Sequence, residues 1–261
     1  MWLVISPAAG KEKMWKARFR TARTLVLLPV FNEVEHVDDI LDSVANYSSD
    51  ILVIDDGSTD GTSERLKRRD DISRLRHARN AGYGQSLLDG FSFGEKNDFD
   101  WIITMDCDYQ HEPDYLVRFM KEIAKDDADI ISGSRYIGGA EKGAPADRAA
   151  INRSITSILN EHLSLCLSDA FCGFKAYRTE GVCGLSLSEK GYGLPLELWV
   201  RAARAGLRIR EIPVPLIYCD CRRDFGGVLA DARYRFAYYV SIIEKELGYG
   251  IGERIKSPFD S

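Results

Sequence analysis

Trp101-Ile102-Ile103-Thr104-Met105-Asp106-Cys107-Asp108-Tyr109-Gln110-His111 is the stretch on which the fold turns. Its first four residues read as a buried strand, with no polar alternation. Two carboxylates then sit two apart at the strand's end, followed by an amide and an imidazole. A D-x-D of this kind offers hard oxygen ligands to a divalent cation and leaves room for a phosphate-bearing partner. Taken alone, the same pattern is also an ordinary strand-to-loop turn, because Asp is common where strands stop.

Composition narrows the choice. The chain has 261 residues, 45% hydrophobic and 29% charged, which is ordinary globular composition. A net charge of -5 argues against a general nucleic-acid binder. The six cysteines form no C-x-x-C pair, so neither zinc nor a disulfide framework is expected. Cys107 reads as a small buried filler. No apolar run is long enough to span a membrane, and the N-terminus does not resemble a signal peptide. Residues 1–23 form a basic leader, with Lys11, Lys13, Lys16, Arg18, Arg20 and Arg23 against Glu12. It reads either as a solvated segment or as a foot on anionic lipid, anchored by Trp2, Trp15 and Phe19.

Working outward from the D-x-D, apolar strands alternate with helical patterns. Strands are expected over 24–31, 50–54, weakly 73–77, 101–104 and 128–134. Helices are expected through Tyr47, over 62–69, from the glycine-rich turn at 79–84 to Phe93, and over 113–125. This order predicts an α/β fold with a mostly parallel sheet covered by helices on both faces. Ligands of such sheets bind beyond the carboxyl ends of the strands. Asn32 and Glu33, Asp55 and Asp56, and Asp106 and Asp108 all fall at those ends. Three acidic strand endings on one edge repel one another, and a cation would relieve that cost.

After Tyr136 the pattern changes. A glycine-rich loop at 138–145 leads into a long amphipathic helix, about 147–167. A loop into a short strand follows at 169–178, then a helix over 191–205 containing Glu197. The segment 208–218 is extended, and Pro213 and Pro215 suit an edge strand. A final helix rich in Tyr and Phe covers 229–246. Residues 24–228 are expected to form one main domain, with 229–261 packed on it as a C-terminal helix and tail.

Several ordered motifs carry a resemblance: L-P-V-F-N-E at 28–33, V-I-D-D-G-S-T-D-G-T at 53–62, R-N-A-G-Y-G at 79–84, M-D-C-D-Y-Q-H at 105–111, S-G-S-R-Y at 132–136, D-A-F-C-G-F-K at 169–175 and R-I-R-E-I-P-V at 208–214. Together the chain resembles the family 2 glycosyltransferases of GT-A fold, and within them the transferases that place a sugar on dolichyl or polyprenyl phosphate. The resemblance implies that Pro29, Asn32, Glu33, Asp55, Asp56, Asp106 and Arg223 meet a nucleotide sugar. It implies that Asp106, Asp108 and Gln110 hold Mg²⁺ or Mn²⁺ against the donor diphosphate. It also implies that Arg135 and Arg148 bind phosphate and act with Asp108 in catalysis. The implied donor is GDP-mannose, with UDP-glucose second, and the implied place is the cytoplasm, at the cytoplasmic face of a membrane as a peripheral protein.

Acceptor chemistry separates the alternatives. A sugar hydroxyl needs a general base, whereas a lipid monophosphate arrives already ionised and needs cations around it. Glu197 is the base candidate under the hydroxyl reading, or else a capping or pairing residue within the fold. A non-catalytic nucleotide- or phosphate-binding module is the reading from another class. One departure from the family pattern stands out. The R-x-x-G-x-S-K expected after the E-I-P strand is kept only as Arg223-Asp224-Phe225-Gly226, and its lysine is absent, with Arg222 and Arg233 as candidate substitutes.

Overall fold

A computed structural model describes residues 22–137, 144–217, 227–252, 255 and 257–259. Seven strands form one sheet: β1 (Thr24–Val30), β2 (Ile51–Asp55), β3 (Ser73–Arg76), β4 (Trp101–Thr104), β5 (Ile130–Ser134), β6 (Lys175–Arg178) and β7 (Ile209–Pro213). Their order is β3-β2-β1-β4-β6-β5-β7. All pairs are parallel except the two made by β6, which runs antiparallel to both β4 and β5. The mostly parallel α/β sheet expected from the apolar runs is therefore present, with β7, which ends at Pro213, at its edge.

The helices are α1 (Val37–Ala45), α2 (Thr62–Leu66), α3 (Tyr83–Lys96), α4 (Leu116–Ile123), α5 (Ala146–Leu163), α6 (Thr179–Cys183), α7 (Leu194–Arg204) and α8 (Ala232–Leu247). Strands β1, β2 and β4 lack polar alternation because both faces of the sheet are covered. Leu25, Leu27, Leu52, Ile54 and Ile102 share one core with residues of α3, α5, α7 and α8. Val26, Leu28, Val30, Val53 and Ile103 share the other with α1 and α4. Gly90 and Gly94 let α3 lie close on the sheet, since a Cβ at either would stand 2.2 Å and 2.5 Å from the Leu27 and Ile102 side chains.

Several element ends differ from the sequence expectation. The 62–69 helix stops at Leu66. The helix expected from Pro113 opens as a 3₁₀ turn before α4. α5 ends at Leu163 because Ser164 turns left-handed, with φ 53°. The short helix α6 has no counterpart in the sequence reading. α8 begins at Ala232, where the Asp231 side chain accepts a hydrogen bond from the Tyr234 N–H at 2.9 Å.

Pro29 sits inside a central strand, where proline would normally cost a ladder bond. Along β1, Leu27 faces β4, since its carbonyl accepts from Met105 N–H, whereas Val26 and Val30 bond toward β2. Pro29 is in phase with Leu27, and the β1–β4 register ends at Leu27 and Thr104. Its missing N–H therefore faces the space beyond the end of β4.

Candidate active site

That space is the mouth of a cavity of about 630 Å³ at the carboxyl ends of β1, β2 and β4. Its lining includes Pro29, Asn32, Glu33, Asp56, Asp106, Asp108, Gln110, Arg135 and Arg148, so the structure gathers most of the sequence-derived candidates in one place. Arg223 and Arg222 lie outside the described residues.

Two loops form the floor at the ends of β1 and β2, and they are sewn together. Asn32 adopts φ 57°; its N–H donates to Ser58 Oγ at 3.0 Å and its side-chain oxygen accepts from Thr59 N–H at 2.8 Å. Glu33 N–H donates to Thr62 Oγ1 at 2.8 Å, and Thr62 in turn donates to Asp60 at 2.6 Å. Asp55 and Asp56 then part company. Asp55 is not among the described residues lining the cavity. It is fully buried, accepts from Ser58 N–H and from Ser63 Oγ, and pairs with Arg76 Nε at 3.3 Å. Its place is inside the turn that launches α2, away from the ligand space the sequence reading gave it. Asp56 does line the cavity, and its carboxylate accepts from Ala81 N–H at 2.7 Å, Gly82 N–H at 3.0 Å and the His77 ring at 2.6 Å.

The D-x-D forms the next wall. Asp106 N–H donates to His111 Nδ1 at 2.9 Å, which makes Nδ1 the acceptor and places the ring proton on Nε2. Burial lowers the His111 pKa to about 4, so the ring is neutral and packs on Phe174 with centroids 5.0 Å apart. Tyr109, at φ 58°, reverses the chain so that Gln110 N–H donates back to Asp108 Oδ1 at 3.2 Å. Asp106 lies against the backbone of Gly173, where a Cβ would stand 2.5 Å from Oδ2. A glycine cradle of this kind leaves the carboxylate room at only one residue type. Cys107 is buried, with its small remaining surface on the cavity lining.

Among the described residues no three His, Cys, Asp or Glu side chains converge as a protein-only metal cage. Two carboxylates with phosphate and water as further ligands is the usual donor set for Mg²⁺-type ions. The Asp106 and Asp108 pair, with Gln110 beside it, fits that set.

The far wall is cationic. Arg135 forms a two-point pair with Asp169, at 2.7 and 2.9 Å. Asp169 is fully buried; burial alone would raise its pKa, but Arg135 and Asn152 outweigh it and hold it at about 2. Asn152 of α5 donates to Asp169 at 2.7 Å, and Glu211 of β7 accepts from Ser168 and Asp169 N–H groups behind it. Arg148 lines the same wall from the first turns of α5. Two further cations were not legible as site residues. Lys175, at the start of β6, is buried, donates to the Cys172 carbonyl and lies 5.5 Å from the Trp199 ring centroid. Burial holds its pKa below the usual lysine value. Arg235 of α8 is also buried, bonds the Leu229 carbonyl at 2.7 Å and pairs with Asp147 at 2.6 Å. Arg153 is exposed on α5, and Arg233 turns to the Phe259 carbonyl, so among the described residues neither lines the cavity.

Of the two readings of Glu197, base or partner within the fold, the structure shows the second. It is 1% exposed, accepts from the N–H groups of Ser188 and Glu189 and from Ser188 Oγ, and pairs with Arg201 at 2.6 Å. Burial would raise its pKa, yet these bonds lower it. It fixes the 188–189 loop to α7.

A mostly parallel α/β sheet with one reversed strand, flanked by helices, is the GT-A glycosyltransferase fold. Glucosyl-3-phosphoglycerate synthase from Mycobacterium tuberculosis, solved with uridine diphosphate, shares this fold with a TM-score of 0.70 at 18% identity, over 96% of this chain and 88% of that one. The same enzyme with Mn²⁺, uridine diphosphate and glucosyl-3-phosphoglycerate superposes with a TM-score of 0.68 at 17% identity, over 96% and 88%. The glycosyl transferase family 2 model matches residues 25–182. Undecaprenyl-phosphate mannosyltransferase of Micrococcus luteus is 30% identical over 222 residues, 80% of this chain and 90% of that protein. Polyprenol monophosphomannose synthase of Mycolicibacterium smegmatis is 32% identical over 205 residues, 74% and 77% of the two. The chain belongs to glycosyl transferase family 2.

Proposed function

We propose that this protein moves a mannosyl group from a nucleotide sugar, GDP-mannose first, to a polyprenyl-type monophosphate with inversion at the anomeric carbon. The division of the cavity carries the reading. Its lining acids, Glu33, Asp56, Asp106 and Asp108, stand on the β1–β2–β4 side, and its lining cations include Arg135, Arg148, Lys175 and Arg235 on the other. A donor diphosphate with its cation suits the first side and an anionic acceptor the second. The names of the two mannosyltransferase relatives support the same acceptor class.

In this reading Pro29, Asn32, Glu33 and Asp56 shape the nucleotide end. Asp106, Asp108 and Gln110 hold the divalent ion, Mg²⁺ or Mn²⁺; both occur in the structural relatives with uridine diphosphate. The ion, when bound, neutralises charge on the departing nucleoside diphosphate. Arg135, braced by Asp169, and Arg148 orient the acceptor phosphate behind the anomeric carbon. A phosphate oxygen forms the new bond to that carbon as its bond to the donor oxygen breaks, and the electron pair leaves with the diphosphate. No proton need be removed from the acceptor, which agrees with Glu197 being locked in the fold. A lipid acceptor places the reaction at a membrane face by peripheral contact, with the basic leader outside the described residues; no described helix is long and apolar enough to cross a membrane.

The test is transfer from radiolabelled GDP-mannose to a short polyprenyl phosphate with Mn²⁺. A lipid product that releases mannose in mild acid is expected from the wild type and none from Asp108→Ala. Full activity in Asp108→Ala, or an acid-stable glycoside as product, overturns the reading.

A further inference from the structure

His77 lies just behind the donor end of the cavity, immediately after β3, and takes no part in the reaction above. Its Nδ1 is 2.6 Å from Asp56 Oδ1 and its Nε2 is 2.8 Å from Asp89 Oδ2 on α3. A neutral imidazole has one donor and one acceptor, and an ionised carboxylate only accepts. Both contacts are hydrogen bonds only when the ring is an imidazolium. Asp56 is also the acceptor for Ala81 and Gly82 N–H, so the turn lining the cavity through Asn80, Gly82 and Tyr83 hangs on this one carboxylate. The turn has little slack. A Cβ at Gly57 would stand 2.5 Å from Arg79 C, and one at Gly82 would stand 2.3 Å from the Lys190 carbonyl oxygen.

Resting on the nucleotide-sugar reading of the cavity, we infer that the His77 imidazolium positions Asp56 and the 80–82 turn, so that affinity for a nucleoside diphosphate falls when His77 loses its proton. The charged groups facing the ring are Asp56 from the end of β2 and Asp89 from α3, while Arg76 and Arg79 flank it along its own segment. Burial alone would lower the His77 pKa, but the bonds to Asp56 and Asp89 raise it above the usual value. The two-sided clamp is therefore complete at low pH, and as pH rises through that raised value the ring keeps one donor for two carboxylates, so Asp56 and Asp89 compete for it.

Two readouts on the full chain test this. NMR between about pH 6 and about pH 9 follows the His77 ring protons and the Ala81 and Gly82 amides. Calorimetry over the same range measures binding of GDP, and separately UDP, with Mn²⁺. His77 is expected to titrate above an ordinary histidine, with both amides moving at the same midpoint. Nucleotide affinity is expected to drop about fivefold or more across that midpoint, within the usual range of coupling between sites. His77→Gln should be flat at the weak end, and His77→Arg, a permanent cation, flat near the strong end. A His77 midpoint at or below the ordinary value, amides that ignore it, or wild-type affinity indifferent to pH overturns the inference. If the NMR transition is present and neither nucleotide binds at any pH, the donor-site reading fails, and the claim about affinity falls with it.

Discussion

Replacing Gly173 with Ala tests the metal-holding role of Asp106 without touching that residue. The new Cβ would stand 2.5 Å from Asp106 Oδ2 and 2.9 Å from Oδ1, against an ordinary contact of at least 3.4 Å. The carboxylate must retreat by about 0.9 Å to restore contact. Metal–ligand distances tolerate only about 0.2 Å, so a shift of that size removes Asp106 from a shared coordination shell. A displacement of about 1 Å at a reacting centre costs on the order of 100-fold in rate. The φ of Gly173 is not in the left-handed range, and the three nearest atoms to the new methyl all belong to Asp106, so the fold should be largely spared. Mannosyl transfer at saturating donor should fall on the order of 100-fold, the Mn²⁺ requirement should rise, and the thermal midpoint should change by no more than about 4 °C. Wild-type turnover with wild-type Mn²⁺ affinity in Gly173→Ala would refute the placement of the ion at Asp106.

Other perturbations probe the fold beneath the site. Glu197→Ala should cost about 1–3 kcal/mol, because the Ser188 and Glu189 N–H groups lose their buried acceptor while Arg201 keeps Glu246 at 2.8 Å; equilibrium denaturation at neutral pH measures it. Since the folded pKa of Glu197 is depressed, its contribution is complete above the unfolded carboxylate value and fades as pH falls through the folded one, so the gap between wild type and Glu197→Ala should narrow in acid. Gly90→Ala forces a methyl to within 2.2 Å of Leu27 Cδ2 and should destabilise the protein by about 1–3 kcal/mol, with metal affinity unchanged in the folded fraction.

The sheet was readable because β1, β2 and β4 are apolar on both faces, and that pattern belongs to the chain itself. The direction of β6 was not, since Lys175-Ala176-Tyr177-Arg178 specifies a strand and says nothing of which way its neighbours run. Helix ends slipped where the stop is a left-handed non-glycine residue, as at Ser164. Asp106, Asp108 and Glu33 were legible because strand ends on one edge must converge, and Arg135 through the family resemblance alone. The adjacent Asp55 and Asp56 look alike in sequence, and only strand alternation sends one into the turn beneath α2 and the other to the cavity. Lys175 closes the D-A-F-C-G-F-K motif, which marks a shared position but no role; Arg235 and His77 carried no local signal, because an isolated basic residue reads as surface until tertiary packing buries it.

The reversed strand has a consequence for how the two halves of the cavity communicate. In an all-parallel sheet, chain only departs from the carboxyl edge, and each loop there serves its own strand. β6 arrives at that edge, with Lys175 beside Thr104 of β4 and Ser132 of β5. The seven residues before and at its start therefore act as a tie-bar across the sheet. One end, Asp169, grips Arg135 on the acceptor side, and four residues on, Gly173 presses against Asp106 on the donor side. Under the proposed division of the cavity, acceptor-side and donor-side groups are thus strung on one short length of backbone, so a substitution that repositions Asp169 is expected to disturb Asp106 as well.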